Sequence, residues 1–224
     1  MSNEATANAL PGALKPGKYL FPGIAGGLLV CVVLGFAPTF FLRPFMDVTA
    51  IPWHVHLHGL VLTGWYVLFL FQSMLIATGR VGIHRKIGIT GLFVGLAVVA
   101  TSIVVVSEIV DRVDVAFSGD PGEASEVIWG SFARILGFTT FLAIALAYRR
   151  NREIHRRAIV VASIAIIQPA IGRFAFGLLP PGSLSGYLLM FAIMLSFFVA
   201  LMVFDLSTRG RPHWVTAIGL LYVT

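Results

Sequence analysis

Histidines and arginines set inside long apolar runs are the residues through which this chain can do chemistry. Four of its six histidines lie between Pro52 and Gly88, in the stretch PWHVHLHGLVLTGWYVLFLFQSMLIATGRVGIHRKIG. Read as a helix, the stretch places His54 and His58 on one face, four residues apart. Trp65 and Gln72 follow at steps of seven and stay near that face, with a drift of ~20° per heptad. His56 lies ~200° round from His58 and points elsewhere. Two imidazoles spaced i, i+4 can aim at one ion, as in helical zinc motifs, and copper, zinc and haem iron all accept such ligands. Further ligands must come from another segment, and Glu108, Asp111, Asp114 and Glu123 are the acidic candidates. The plainer reading is that these histidines cap a helix and bind interfacial water or lipid headgroups.

Arg134 and Arg173 sit within apolar runs, where an unpaired cation is expensive and usually marks function or pairs with an acid. Counting along the helices puts Arg134 ~10 Å deep and Arg173 ~24 Å along its span from the opposite side. The spacing therefore predicts that His58, Arg134 and Arg173 converge in one half of the membrane. Their charge can be met by Glu108, by a bound anion such as a carboxylate, phosphate or haem propionate, or by headgroups reached by snorkelling. Gln168-Pro169 lies in the same span as Arg173, and a proline there removes a helix hydrogen bond and favours a kinked cavity wall. At the other side, His84, Arg85, His155, Arg156 and His213 form a ring suited to phosphate headgroups, with haem ligation as the alternative.

The elements that must position these groups are membrane spans. The chain is 58% hydrophobic and only 12% charged, with a mean hydropathy of +0.91, a balance rare in soluble domains. Residues 1–18 read as a flexible polar tail and 19–224 as a single helical membrane domain. Six full spans are predicted, about Tyr19–Leu42, Pro52–Thr78, Ile87–Val110, Val127–Tyr148, Arg157–Leu178 and Ser185–Leu206. A seventh, from Trp214, is short or truncated. Basic residues crowd the tail and the loops after spans two, four and six, whereas acids crowd the alternate loops, so the N-terminus is expected in the cytoplasm of a bacterial inner membrane. The fold class expected is thus all-α, a polytopic helix bundle. Ile83-His84-Arg85-Lys86 and Ile154-His155-Arg156-Arg157 echo each other, as a duplicated helix pair or as convergent basic loops. The net charge of +6 is dispersed in short loops, which argues against nucleic-acid binding. Lone Cys31 excludes an internal disulfide, and no phosphate loop, Ser/His/Asp set or HExxH is present.

His58-Gly59, Gln72, His84-Arg85-Lys86-Ile87-Gly88, and His155-Arg156-Arg157 with Arg173 in one helix together resemble an uncharacterised family of bacterial predicted membrane proteins. Its signature is a His-containing helix with a downstream Gln, an HRxxG segment and a later His/Arg helix, here covering about Pro52 to Phe174. A looser likeness extends to membrane proteins that help assemble haem–copper oxidases and to four-helix cytochromes b. The latter require histidines on different helices at matching depth, whereas His54, His56 and His58 all lie on span two. The resemblance implies a helical core in which His58, Gln72, His84, Arg85, His155 and Arg173 matter, and it supplies no settled activity. The expectation is a cofactor-binding protein of respiratory redox or oxidase biogenesis, with His54 and His58 (with Glu108) as metal ligands. Gln72, Arg134, Gln168 and Arg173 complete the expected cofactor pocket, and a respiratory or other membrane complex is the expected partner beside lipid. A cofactor-free transporter or ligand-binding protein and an accessory scaffold subunit are the alternatives.

Overall fold

In the computed structural model, residues 17–46, 51–111 and 121–223 are described. The expected tail falls almost wholly outside them, as do the side chains of Asp111, Asp114 and Glu123. Eight α-helices and no strand occur among the described residues: α1 Leu20–Phe36, α2 Trp53–Ala77, α3 Val81–Asp111, α4 Pro121–Ala147, α5 Arg152–Ala165, α6 Gln168–Leu178, α7 Leu184–Arg209 and α8 Trp214–Val223. The fold is the expected all-α bundle. Five segments are long and apolar enough to cross a membrane, and α5 with α6 makes a sixth if the pair is one span bent by 47°. Length and composition thus describe a multi-pass membrane protein.

Each departure from the simple pattern has a local cause. Pro38 cannot donate a backbone hydrogen bond, and past it the first span widens into a π turn, Ala37–Phe41, closed by Leu42 N–H on the Ala37 carbonyl at 2.8 Å. Pro169 acts likewise at the α5–α6 break, where it occupies the first turn of α6 and needs no donor. The fifth span is therefore two helices, not one. α3, α4 and α5 also begin earlier than hydropathy suggests, at Val81, Pro121 and Arg152, and His84–Lys86 and His155–Arg157 lie near the helix starts they were expected to open. For α5 the reason is Asn151, whose side chain accepts from Glu153 N–H at 3.1 Å and Ile154 N–H at 3.3 Å.

α5 is the centre of the bundle, packed against α1, α4, α7 and α8, and nearly every residue from Arg157 to Ala165 is buried. α2 reaches it through Trp65, whose indole N–H donates to Ser163 Oγ at 3.1 Å, and Tyr66, whose hydroxyl donates to the Ser163 carbonyl at 2.8 Å. These bonds satisfy aromatic polar tips in the core, where an unpaired group would cost about 1–3 kcal/mol. Outward faces carry Leu60, Phe93, Leu136, Leu188 and Val203, all exposed, as lipid contact requires.

Candidate functional site

One end of the bundle, rich in arginine loops, is basic, and the opposite end is acidic. At the acidic end, α2 and α3 are joined by the two histidines expected to share a metal. His54 Nε2 lies 2.9 Å from Glu108 Oε2. One turn deeper, His58 Nδ1 lies 3.1 Å from Thr101 Oγ1, and that hydroxyl donates to the Ala97 carbonyl at 2.8 Å, so the imidazole is the donor to Thr101. His56 faces Phe40, ring centres 5.8 Å apart. Among the described residues no three His, Cys, Asp or Glu side chains are grouped to hold a metal ion. His54 does meet Glu108, but His58 is drawn to a hydroxyl, and the pair works as a polar seam between α2 and α3.

The two arginines do not converge on His58. Arg134 turns to α6, where Nη1 donates to Gln168 Oε1 at 2.5 Å, and Nη2 donates to Ser131 Oγ at 2.9 Å. Arg173 is exposed, donates to the Pro169 carbonyl at 3.2 Å and covers the Phe36 ring at 4.7 Å. The expected three-helix pocket is therefore reduced to one of its pairs, Arg134 with Gln168, which lines a cavity of about 200 Å³.

The basic end holds a second polar group. His84 on α3 and His155 on α5 face each other with ring centres 6.4 Å apart, and the backbone of Gln72 on α2 lies against His84. His155 Nδ1 is 2.8 Å from the Ala145 carbonyl. A carbonyl only accepts, so Nδ1 carries the proton and a neutral His155 keeps a bare lone pair on Nε2. His84 Nδ1 and both amide atoms of Gln72 are buried without a hydrogen-bond partner. The paired histidines belong to the two echoing Ile-His-Arg segments, whereas the step of seven from Trp65 had linked Gln72 to the face of His54 and His58.

Arg156 and Arg157, adjacent to His155, serve structure. Arg157, wholly buried, donates through Nε to Asp205 Oδ1 at 2.8 Å, pairs with the same oxygen through Nη2, and reaches Glu153 Oε2 at 2.6 Å. Arg156 binds Glu153 at 2.6 Å and covers the rings of Phe21 and Phe204. Asp205 Oδ2 accepts His213 N–H at 2.9 Å and the Thr216 hydroxyl at 2.8 Å, which fastens α8 to α7. Sequence reading passed over Asp205; an acid one turn before the end of an apolar span was the available signal. His213 itself is buried, and its Nδ1 accepts Val215 N–H at 3.2 Å.

Burial, then the Arg157 and Arg209 charges, hold the His213 imidazole below its ordinary value, against the opposing pull of Asp205 and Glu153. The unfolded histidine takes up its proton near pH ~6.5 while the folded one is still neutral. Stability is therefore present above ~6.5 and lost as pH falls through the folded value. Melting in detergent between pH 7.5 and 5 should show this acid loss (pH values of about these magnitudes bracket the ordinary histidine range), and His213→Asn should flatten it. An unchanged slope in the variant would assign the acid sensitivity elsewhere.

No family model matches the chain, and neither does any curated protein or any solved structure.

Proposed function

We propose that this chain is an inner-membrane protein that holds a metal-containing group, an ion or a haem, through the paired imidazoles of His84 and His155, in respiratory electron transfer or in the assembly of a respiratory complex. The observation that carries the reading is the meeting of two histidines from different helices, ring centres 6.4 Å apart, with the Gln72 backbone of α2 against one of them. The donor set fits such a group. Neutral imidazole is the commonest metal ligand, and a ligating ring usually donates its other N–H to a carbonyl or carboxylate, as His155 does to Ala145. Bound there, the group would supply redox or Lewis-acid chemistry, while the Ala145 carbonyl fixes the His155 ring that would hold it. The residues brought together, Gln72, His84 and His155, are also those that carry the resemblance to the bacterial membrane family, which favours the bacterial inner membrane with the basic end in the cytoplasm.

Protein purified from membranes, analysed for transition metals and by visible spectroscopy, tests this. About one metal or one haem per chain is expected, lost in both His84→Ala and His155→Ala and retained in His54→Ala. Metal content that survives both basic-end replacements, or no uptake on titration of the apoprotein with Cu(I), Zn(II) or haem, overturns the reading.

A further inference from the structure

Arg134 lies near the middle of its span. The apolar window runs Ser125–Ala147, so the arginine is ~14 Å from its acidic end at 1.5 Å per residue. Its two hydrogen-bond partners there, Gln168 and Ser131, are neutral. Among the described residues no carboxylate comes within ion-pair distance of it. A guanidinium carries five N–H donors, and two are used. A positive charge with spare donors thus borders the cavity of about 200 Å³.

The rest of that cavity is apolar. Ala165, Phe191 and Met194 form its walls, and Tyr222 closes one side by donating its hydroxyl to the Ala133 carbonyl at 2.5 Å. A second hollow of about 70 Å³ shares Phe191 and Met194 and continues between α7 and α8 past Leu195, Phe198 and Leu220. A cationic head followed by an apolar run is the negative image of an amphiphile with an anionic head.

We propose that this cavity binds one anionic amphiphile, with a carboxylate or phosphate oxygen on Arg134 and Gln168 and an acyl chain along α7 and α8. Charge decides against the neutral alternative: a zwitterionic or uncharged headgroup would leave the guanidinium uncompensated within the span, whereas an anion both neutralises it and takes its free donors. Gln168 keeps its amide N–H groups for the same head, because its oxygen is already held by Arg134. The kink at Pro169 brings Gln168 to this position, so the broken span has a binding consequence. The inference does not depend on the imidazole pair at the basic end.

Native mass spectrometry of the full chain from a neutral detergent tests it, with oleate and phosphatidylglycerol as anionic probes and phosphatidylcholine and decylubiquinone as neutral ones. One molecule of an anionic probe should be retained, about tenfold or more in preference to both neutral probes, the equivalent of about 1.4 kcal/mol. Oleate alone identifies a free carboxylate as the source; phosphatidylglycerol, alone or with oleate, identifies the phospholipid headgroup. Arg134→Gln should abolish the preference, whereas Arg173→Gln, at the exposed arginine, should leave it intact. Met194→Trp, which fills the apolar wall without touching the cation, should lower retention of the anionic probes and guards against an Arg134 variant that fails to fold. Equal retention of neutral and anionic probes, tighter binding of decylubiquinone, or an unchanged preference in Arg134→Gln overturns the proposal.

Discussion

Asp205→Ala is expected to destabilise the protein by about 3–5 kcal/mol, the penalty for stranding a buried charge. Arg157 is wholly buried, and Asp205 gives it the carboxylate that balances its charge. Glu153 is a second acid on Arg157, but it also binds Arg156 and is part-exposed, so water weakens its share. The same aspartate satisfies His213 N–H and the Thr216 hydroxyl, so its removal orphans four donors at once, two of them on Arg157. Asp205→Asn should fall between wild type and alanine: the amide oxygen still accepts, but it no longer cancels the guanidinium. Reversible unfolding in mixed micelles measures the order directly. Limited proteolysis beside Gly210, the left-handed residue that ends α7, should accelerate in the alanine variant as α8 loosens. A loss under about 1 kcal/mol would place the Arg157 charge in contact with water after all.

The contrast between what the sequence revealed and what it concealed follows from the range of the interactions. Spans are local properties of hydropathy, and α2 and α7 fall close to where twenty-odd apolar residues put them. Proline punctuation is also local: both Pro38 and Pro169 mark real departures from α geometry. The starts of α3, α4 and α5 came earlier than expected because hydropathy is blind to polar first turns. Asn151, a helix cap three residues before Ile154, could have corrected the last. The site was harder because its contacts are distant in sequence. Equal depth was expected of His58 and Arg134, yet depth says nothing about azimuth, and their helices turn them to Thr101 and Gln168. The Arg157–Asp205 pair spans 48 positions and joins a residue read as a loop cation to one unremarked in an apolar run. The two Ile-His-Arg segments, read as an echo of one another, open α3 and α5, and their histidines lie with ring centres 6.4 Å apart.

Gly35→Ala is expected to cost about 1–3 kcal/mol, as overpacking does, although alanine is the better helix former. The added methyl would stand 2.1 Å from the Ala170 carbonyl oxygen, and the obstacle is backbone, which cannot rotate away. α1 and α6 must therefore separate, and Gly35→Leu should prevent the native packing. Gly26 supplies the comparison within the same helix, since a methyl there meets only Leu70 Cδ1, at 3.9 Å. Gly26→Ala should be neutral or slightly stabilising, so a common effect of alanine on α1 cannot produce the predicted difference. Ala170 lies two residues beyond Gln168, on the short helix that delivers that amide to Arg134. Displacing α6 should loosen this bond as well, and Gly35→Ala protein that remains folded should lose part of its selectivity for anionic amphiphiles. Gly26→Ala should not. If both variants melt alike, the contact of α1 with α6 is looser than a 2.1 Å approach allows, and the positioning of Gln168 must come from α5 and α7 instead.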